Sequence, residues 1–157
     1  MKPKAYLETS VVSYLTARAS RDLIVAAHQK LTRVWWERRR KRFDLYCSHL
    51  VIQEAAGGDK GAARRRLEVL RPLPLLEITD AAGRLARDLV IEAPIPEKAS
   101  EDALYIALAT IHGMDYLLTW NCRHIANAEI RNAVAAVCGD RGYEPPVICT
   151  PEELMGE

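Results

Sequence analysis

Five short apolar runs, separated by helical patterns, constrain the fold more than any other feature of this chain. The runs are Ala5 to Leu7, Phe43 to Cys47, Leu75 to Ile78, Tyr116 to Trp120 and Val147 to Cys149. Each is too short for a helix and reads as a strand. After the first run a short helix opens near Ser10. From Arg21, Leu23, Ala26, Ala27, Leu31, Val34 and Trp35 then recur at helical spacing, ending in the basic run Arg38 to Arg42. Ser48 looks like the cap of a helix stopped by Gly57-Gly58, Asp59 opens one that Pro72 ends, and Thr79 opens one reaching about Ile91. Beyond the Pro94 and Pro96 loop, a helix from about Glu97 ends at Gly113, and another spans about Asn127 to Cys138. Thr150-Pro151-Glu152-Glu153 opens a last helix, with Pro at the first turn and acids at the positive end. Strands alternating with helices predict the α/β class: a three-layer α/β/α sandwich around a parallel sheet of about five strands. No linker or repeat interrupts the pattern, so residues 1–157 read as a single domain.

Composition narrows the partners. The net charge is +1, from 22 basic and 21 acidic residues, so no global charge pulls the chain toward nucleic acid or anionic membrane. A local basic surface stays open. No apolar stretch approaches the ~20 residues of a membrane span. Lys2 and Lys4 are not followed by the long apolar core of a secretory signal, so the chain reads as cytoplasmic. The four cysteines, Cys47, Cys122, Cys138 and Cys149, form no Cys-x-x-Cys pair and read as buried free thiols.

In a parallel sheet, ligands bind beyond the carboxyl ends of the strands. The residues delivered there are chemically suggestive. Glu8, Thr9 and Ser10 follow the first strand. Asn121, Cys122, Arg123 and His124 follow the fourth. Glu54 lies two turns into the helix after the second, and Glu101 and Asp102 begin the helix before the fourth. Each acid alone has an ordinary explanation as a cap, a dipole partner or a solvated helix residue. Together on one rim, they would repel one another unless a cation sat between them. Mg²⁺ or Mn²⁺, which takes oxygen ligands and keeps several waters, suits such a site. A cation so held supports phosphodiester hydrolysis.

The order of these motifs resembles that of PIN domains, the ribonuclease fold of VapC-like toxins. The matching stretches are Glu8-Thr9-Ser10-Val11-Val12, then Glu54, then Asp102-Ala103-Leu104-Tyr105-Ile106-Ala107, then Leu117-Leu118-Thr119-Trp120-Asn121. They span essentially the whole chain. The resemblance implies a Mg²⁺- or Mn²⁺-dependent endoribonuclease that cuts RNA as the toxin of a toxin–antitoxin pair, with a small antitoxin partner and a homodimeric state. Carried onto this chain, Glu8, Glu54 and Asp102 match the metal ligands and Asn121 the fourth catalytic position. Ser10, or else Thr9, matches the supporting hydroxyl. Apart from the resemblance, Arg123 can meet a phosphate with its planar fork and His124 can assist proton transfer, so that Ser10, Arg123 and His124 stand as substrate contacts; a loop or cap role is the other reading of Arg123 and His124. Two positions depart from the family pattern: Glu8 and Asn121 each stand where it has Asp. The alternative is a catalytically degenerate module of the same fold that binds RNA or a protein partner without cutting.

Two basic clusters, Arg38 to Arg42 and Arg64 to Arg66, can be read as RNA tracks or as solvated helix residues. Tyr6, Tyr14 and Trp120 can be read as base-stacking groups or as core. A phosphorylatable receiver domain would need an Asp at a strand end and a late Lys, and no Lys follows Lys98. A dinucleotide fold would need a glycine-rich turn after the first strand, and ETSVVS has none.

Overall fold

The structure is a computed structural model that describes residues 1–156. It is an α/β protein with one five-stranded, all-parallel sheet. The strands are β1 (Lys4–Leu7), β2 (Asp44–Ser48), β3 (Leu75–Leu76), β4 (Tyr116–Leu118) and β5 (Val147–Cys149), in spatial order β3-β2-β1-β4-β5. The helices are α1 (Thr9–Thr16), α2 (Leu23–Arg39), α3 (His49–Ala55), α4 (Lys60–Leu70), α5 (Asp80–Glu92), α6 (Ser100–Ile111) and α7 (Ala128–Asp140).

The layers follow from the strand order. From β1 the chain steps outward to β2 and β3, then returns past β1 to β4 and β5. Right-handed crossovers put helices of opposite stepping direction on opposite faces. So α1 to α4 form one layer, in which α1 packs on α2, α3 and α4, and α5 to α7 form the other, in which α5 packs on α6 and α7. The reversal between β1 and β4 opens a crevice at their carboxyl ends, the switch point where such sheets bind ligands.

Burial explains why β1 after Lys4, and β4, are apolar. Tyr6, Leu7, Leu117 and Leu118 are fully buried, sandwiched between layers. Helix α6 is nearly as enclosed: Ala103 and every residue from Tyr105 to Thr110 are buried. Each Leu or Ile so enclosed contributes about 1.5 to 3 kcal/mol. Gly113, at φ 66°, takes the left-handed conformation that ends this helix and turns the chain toward β4.

Several boundaries differ from the sequence reading, each for a visible reason. Helix α1 begins at Thr9, with Glu8 rather than Ser10 as its cap, because the Glu8 carboxylate accepts the Ser10 N–H. β4 ends at Leu118: Thr119 N still donates to the Cys149 carbonyl at 3.0 Å, but the two amides after it turn to side chains, Trp120 N to Ser10 Oγ and Asn121 N to Thr119 Oγ1. β3 is two residues long, and the Glu77 carbonyl beyond it meets His112 Nε2 at 2.7 Å. The last helix is a single 3₁₀ turn, Pro151–Leu154, locked by a capping box between Thr150 and Glu153. Cys47, Cys138 and Cys149 are buried free thiols, whereas Cys122 is exposed on the loop after β4. Burial pushes the Cys47 thiol up to about 11 and Cys149 up to about 12, so both stay protonated. No helix among the described residues is long and apolar enough to cross a membrane.

Candidate functional site

Strand register builds the site. Leu7 pairs with Leu118, so the next residues, Glu8 and Thr119, emerge side by side at the switch point. The Glu8 amide donates to the Leu118 carbonyl at 3.0 Å, which fixes its backbone. Its side chain folds back into the crevice and is only 6% exposed. There Glu8 Oε1 accepts from Thr119 Oγ1 at 2.6 Å and from the Ser10 hydroxyl, while Oε2 accepts the Ser10 N–H at 3.1 Å. Ser10 Oγ in turn accepts from Trp120 N at 2.8 Å. Ser10 is therefore committed to holding Glu8 and to joining α1 to the loop after β4.

Asp102 enters from the opposite layer, in the first turn of α6. Its Oδ1 accepts from the Asn121 amide nitrogen at 3.2 Å, and its Oδ2 lies 3.2 Å from His124 Nδ1. Asn121 aims its carbonyl oxygen away from Asp102, at the backbone N–H groups of Arg123 and His124 (3.2 and 3.1 Å). Thr119 Oγ1 accepts from Asn121 N at 2.9 Å. Glu8, Thr119, Asn121, Asp102 and His124 thus form one continuous hydrogen-bonded chain across the switch point.

Glu54 belongs to a neighbouring knot. Its Oε1 accepts from the Tyr105 hydroxyl and lies 3.2 Å from Thr9 Oγ1, while the Thr9 and Tyr105 oxygens stand 2.7 Å apart; with Tyr105 donating to Glu54, the single Thr9 proton goes either to Glu54 or to the Tyr105 oxygen. Tyr105 lies on α6 one turn beyond Asp102, so the same helix holds both acids. Burial and the bond to Glu54 keep the Tyr105 hydroxyl protonated far above its ordinary range, so it stays a donor. Helix α3, which carries Glu54, is anchored by its cap Ser48, whose Oγ meets the buried Tyr6 hydroxyl at 2.5 Å.

Two residues of this site, Thr119 and Tyr105, are not singled out by the sequence. Thr119 follows only from strand order: with β1 and β4 adjacent and in register, the hydroxyl after β4 stands beside the acid after β1. Arg123 is exposed at the edge, and its side chain makes no hydrogen bond or ion pair among the described residues. Trp120 is core rather than a base platform: it stacks on His28 with ring centres 4.1 Å apart and donates its indole N–H to Thr32. Tyr6 is likewise fully buried, while Tyr14 stays partly exposed at the margin of this cluster.

The electrostatics put Glu8 and Asp102 under strain. Burial raises the Glu8 carboxyl above its ordinary range, the bonds from Ser10 and Thr119 oppose the rise, and the nearby Glu54 charge adds to it. Burial also raises Asp102, against the lowering effect of His124 and Asn121. Neutralising either carboxylate from outside would relieve that cost.

Whether a metal suits these groups turns on the lone pairs left over. Among the described residues, no three His, Cys, Asp or Glu side chains gather closely enough to cage an ion. Glu8 Oε2 carries one donor, and each Asp102 oxygen faces one partner, so both carboxylates keep free acceptor capacity. Mg²⁺ is characteristically held by one or two carboxylates plus substrate phosphate oxygens. By donor type Glu8 and Asp102 suit that set. Glu54 Oε1 is turned to Tyr105 and Thr9, but its Oε2 takes no hydrogen bond among the described residues, and Glu54 is the carboxylate whose charge acts on Glu8. Asn121 is turned to protein partners. Tyr105→Phe should release the Glu54 carboxylate, tighten Mn²⁺ binding in a calorimetric titration, and cost about 1 to 2 kcal/mol for its missing hydrogen bonds. Unchanged or weaker Mn²⁺ binding would show that Glu54 is remote from the ion.

Neither protein-family models, curated proteins nor solved structures gave a match to this chain.

Proposed function

We propose that this chain is a PIN-like, divalent-metal-dependent endoribonuclease. One observation carries the reading: two partly desolvated carboxylates, Glu8 and Asp102, are tied into a single hydrogen-bonded chain at the β1/β4 switch point. In this reading Glu8 and Asp102, with Glu54 nearby, would hold one Mg²⁺ or Mn²⁺ ion, which would supply an activated water and charge stabilisation at the phosphate. The protein's own residues do the positioning. Ser10 and Thr119 fix the Glu8 carboxylate, and Asn121 fixes Asp102 while ordering the loop that presents His124 and Arg123. Arg123, exposed and unpaired among the described residues, offers its planar guanidinium to a substrate phosphate. Asn121 acts as a hydrogen-bonding strut, so the loss of a fourth acid leaves a one-metal site.

The same motif order makes the chain the toxin of a toxin–antitoxin pair, with a small antitoxin as protein partner. Leu23 and Ile24, 86% and 70% exposed at the start of α2, supply apolar surface for a homodimer. The competing reading is a catalytically silent module of the same fold. The capture of Glu54 by Tyr105 and Thr9 is what favours it.

A panel of fluorescent RNAs incubated with purified protein in Mn²⁺, Mg²⁺ or EDTA separates the two. The expected result is metal-dependent cleavage that EDTA abolishes and Asp102→Ala reduces by about 100-fold. Equal cleavage by both proteins would trace to contaminating nuclease. No cleavage together with poor Mn²⁺ binding would establish the silent module.

A further inference from the structure

The two basic clusters occupy different ends of the molecule. Arg40 and Lys41 line a groove with Phe43 and Asp44, by the amino end of β2 and away from the switch point. There Arg40 lies over the Trp36 ring at 5.1 Å and donates to the Trp36 carbonyl. Arg65 and Arg66, with Arg18, line a separate groove of about 460 Å³ that also includes Thr16, Asp59 and Gly61.

This second groove is built by backbone carbonyls. Arg65 Nε donates to the Thr16 carbonyl at the end of α1, and Arg33 donates to the next carbonyl, Ala17. Arg66 donates to Ala55 and Gly57 at the end of α3. Each bond alone is ordinary helix-end chemistry. The combination is not self-sufficient, because none of these arginines forms an ion pair with a carboxylate among the described residues. The one acid in the lining, Asp59, spends its Oδ2 capping α4 at Ala62 N. Arg18 is exposed, and its guanidinium makes no hydrogen bond among the described residues. Three arginines therefore face a single aspartate around an open groove, a local excess of positive charge.

Two chain segments link the groove to the site. Helix α1 starts beside Glu8 and, at 8 residues, carries the surface about 12 Å to Thr16. Ala55, which Arg66 holds, directly follows Glu54.

We propose that the groove lined by Arg18, Arg65 and Arg66 binds the phosphodiester backbone of the single-stranded RNA that the Glu8–Asp102 site receives. The inference rests on the ribonuclease reading for that site but not on turnover. Arginine forks match phosphate oxygens, and backbone binding asks for no base recognition. It also explains how a chain of net charge +1 can hold RNA: the basic charge is local.

Fluorescence anisotropy of a labelled, mixed-sequence single-stranded RNA, in EDTA and across a KCl series, tests this without cleavage. Arg18→Gln and Arg65→Gln should each weaken binding several-fold and flatten the salt dependence, by about 0.7 in log–log slope for each phosphate no longer neutralised. Arg87→Gln, an exposed arginine on α5, should leave the slope unchanged. Arg65→Gln also loses its bond to α1, so Arg18→Gln, which breaks no hydrogen bond, decides the matter if the other unfolds. Unchanged affinity and slope in Arg18→Gln would overturn the proposal, even with cleavage intact. Arginine-dependent capture of a polyglutamate peptide, with no RNA binding, would overturn it in favour of an acidic polypeptide. Arginine-dependent RNA binding without any cleavage would leave the groove standing and remove the nuclease.

Discussion

Glu8→Gln is expected to stop RNA cleavage while leaving the protein at least as stable at neutral pH. The two halves of this expectation have the same cause. Burial raises the Glu8 carboxyl above its ordinary 4.5, so the folded chain holds that proton to higher pH than the unfolded chain. Stability from such a group is fully present below about 4.5 and is lost as pH rises through the folded value. Asp102, raised from 3.8, has the same sign. In EDTA the melting temperature should therefore decline as pH climbs above this range, and Glu8→Gln should flatten the decline. Glutamine preserves the fit: its oxygen can accept the Ser10 N–H and its nitrogen can donate to the Ser10 or Thr119 hydroxyl. It cannot supply negative charge to a cation. Mn²⁺ should raise the melting temperature of the wild-type chain, more so at higher pH where the ligands are ionised, and Glu8→Gln should erase that gain. Losing several kcal/mol of metal assistance corresponds to a fall in cleavage of about 100-fold or more. A variant that cleaves normally, or an Mn²⁺ gain that survives the substitution, would remove Glu8 from the proposed metal site.

The fold was largely legible because strand and helix periods differ and the chain keeps them apart. All five strands lie where apolar runs end in turn or cap residues, and Ser48, Asp59, Thr79 and Asn127 cap the helices their positions suggested. The last helix failed for lack of length rather than for lack of a cap. The site was legible in part. The sequence placed Glu8, Asp102 and Asn121 at strand ends and a helix start, and strand order then brings them together. It did not show that the Asn121 carboxamide would face Asp102 nitrogen-first, because an amide's orientation depends on neighbouring donors, here two backbone N–H groups of its own loop. Nor did it show that Tyr105 would reach across layers to Glu54. That contact joins residues 51 positions apart and depends on how α3 and α6 meet above the sheet.

Trp35→Ala should be the most destabilising single change in the chain, at about 3 to 5 kcal/mol. Trp35 is the largest fully buried side chain, and its ring lies 5.7 Å from Phe43 and 6.5 Å from Trp36. Phe43 continues the contact edge-on to Tyr116 at the start of β4, so this cluster fastens α2 to the sheet at the end remote from the Glu8–Asp102 site. Alanine leaves a cavity where α2 cannot close without dragging its partners. Trp35→Phe should behave differently. Among the described residues, the indole nitrogen of Trp35 is buried without a hydrogen-bond partner, a cost of about 1 to 3 kcal/mol that phenylalanine removes. That relief offsets much of the missing volume, so Phe should cost far less than Ala. Urea melts of the two variants check the order. If both cost the same, neither the retained ring nor the removed indole nitrogen offsets the lost fit, which would overturn this expectation. Cleavage per folded molecule should survive in both variants, because the damage falls at the amino end of the sheet. Loss of activity well below the unfolding transition would mean that this aromatic cluster, and not register alone, sets the spacing between β1 and β4 on which Glu8 and Asp102 depend.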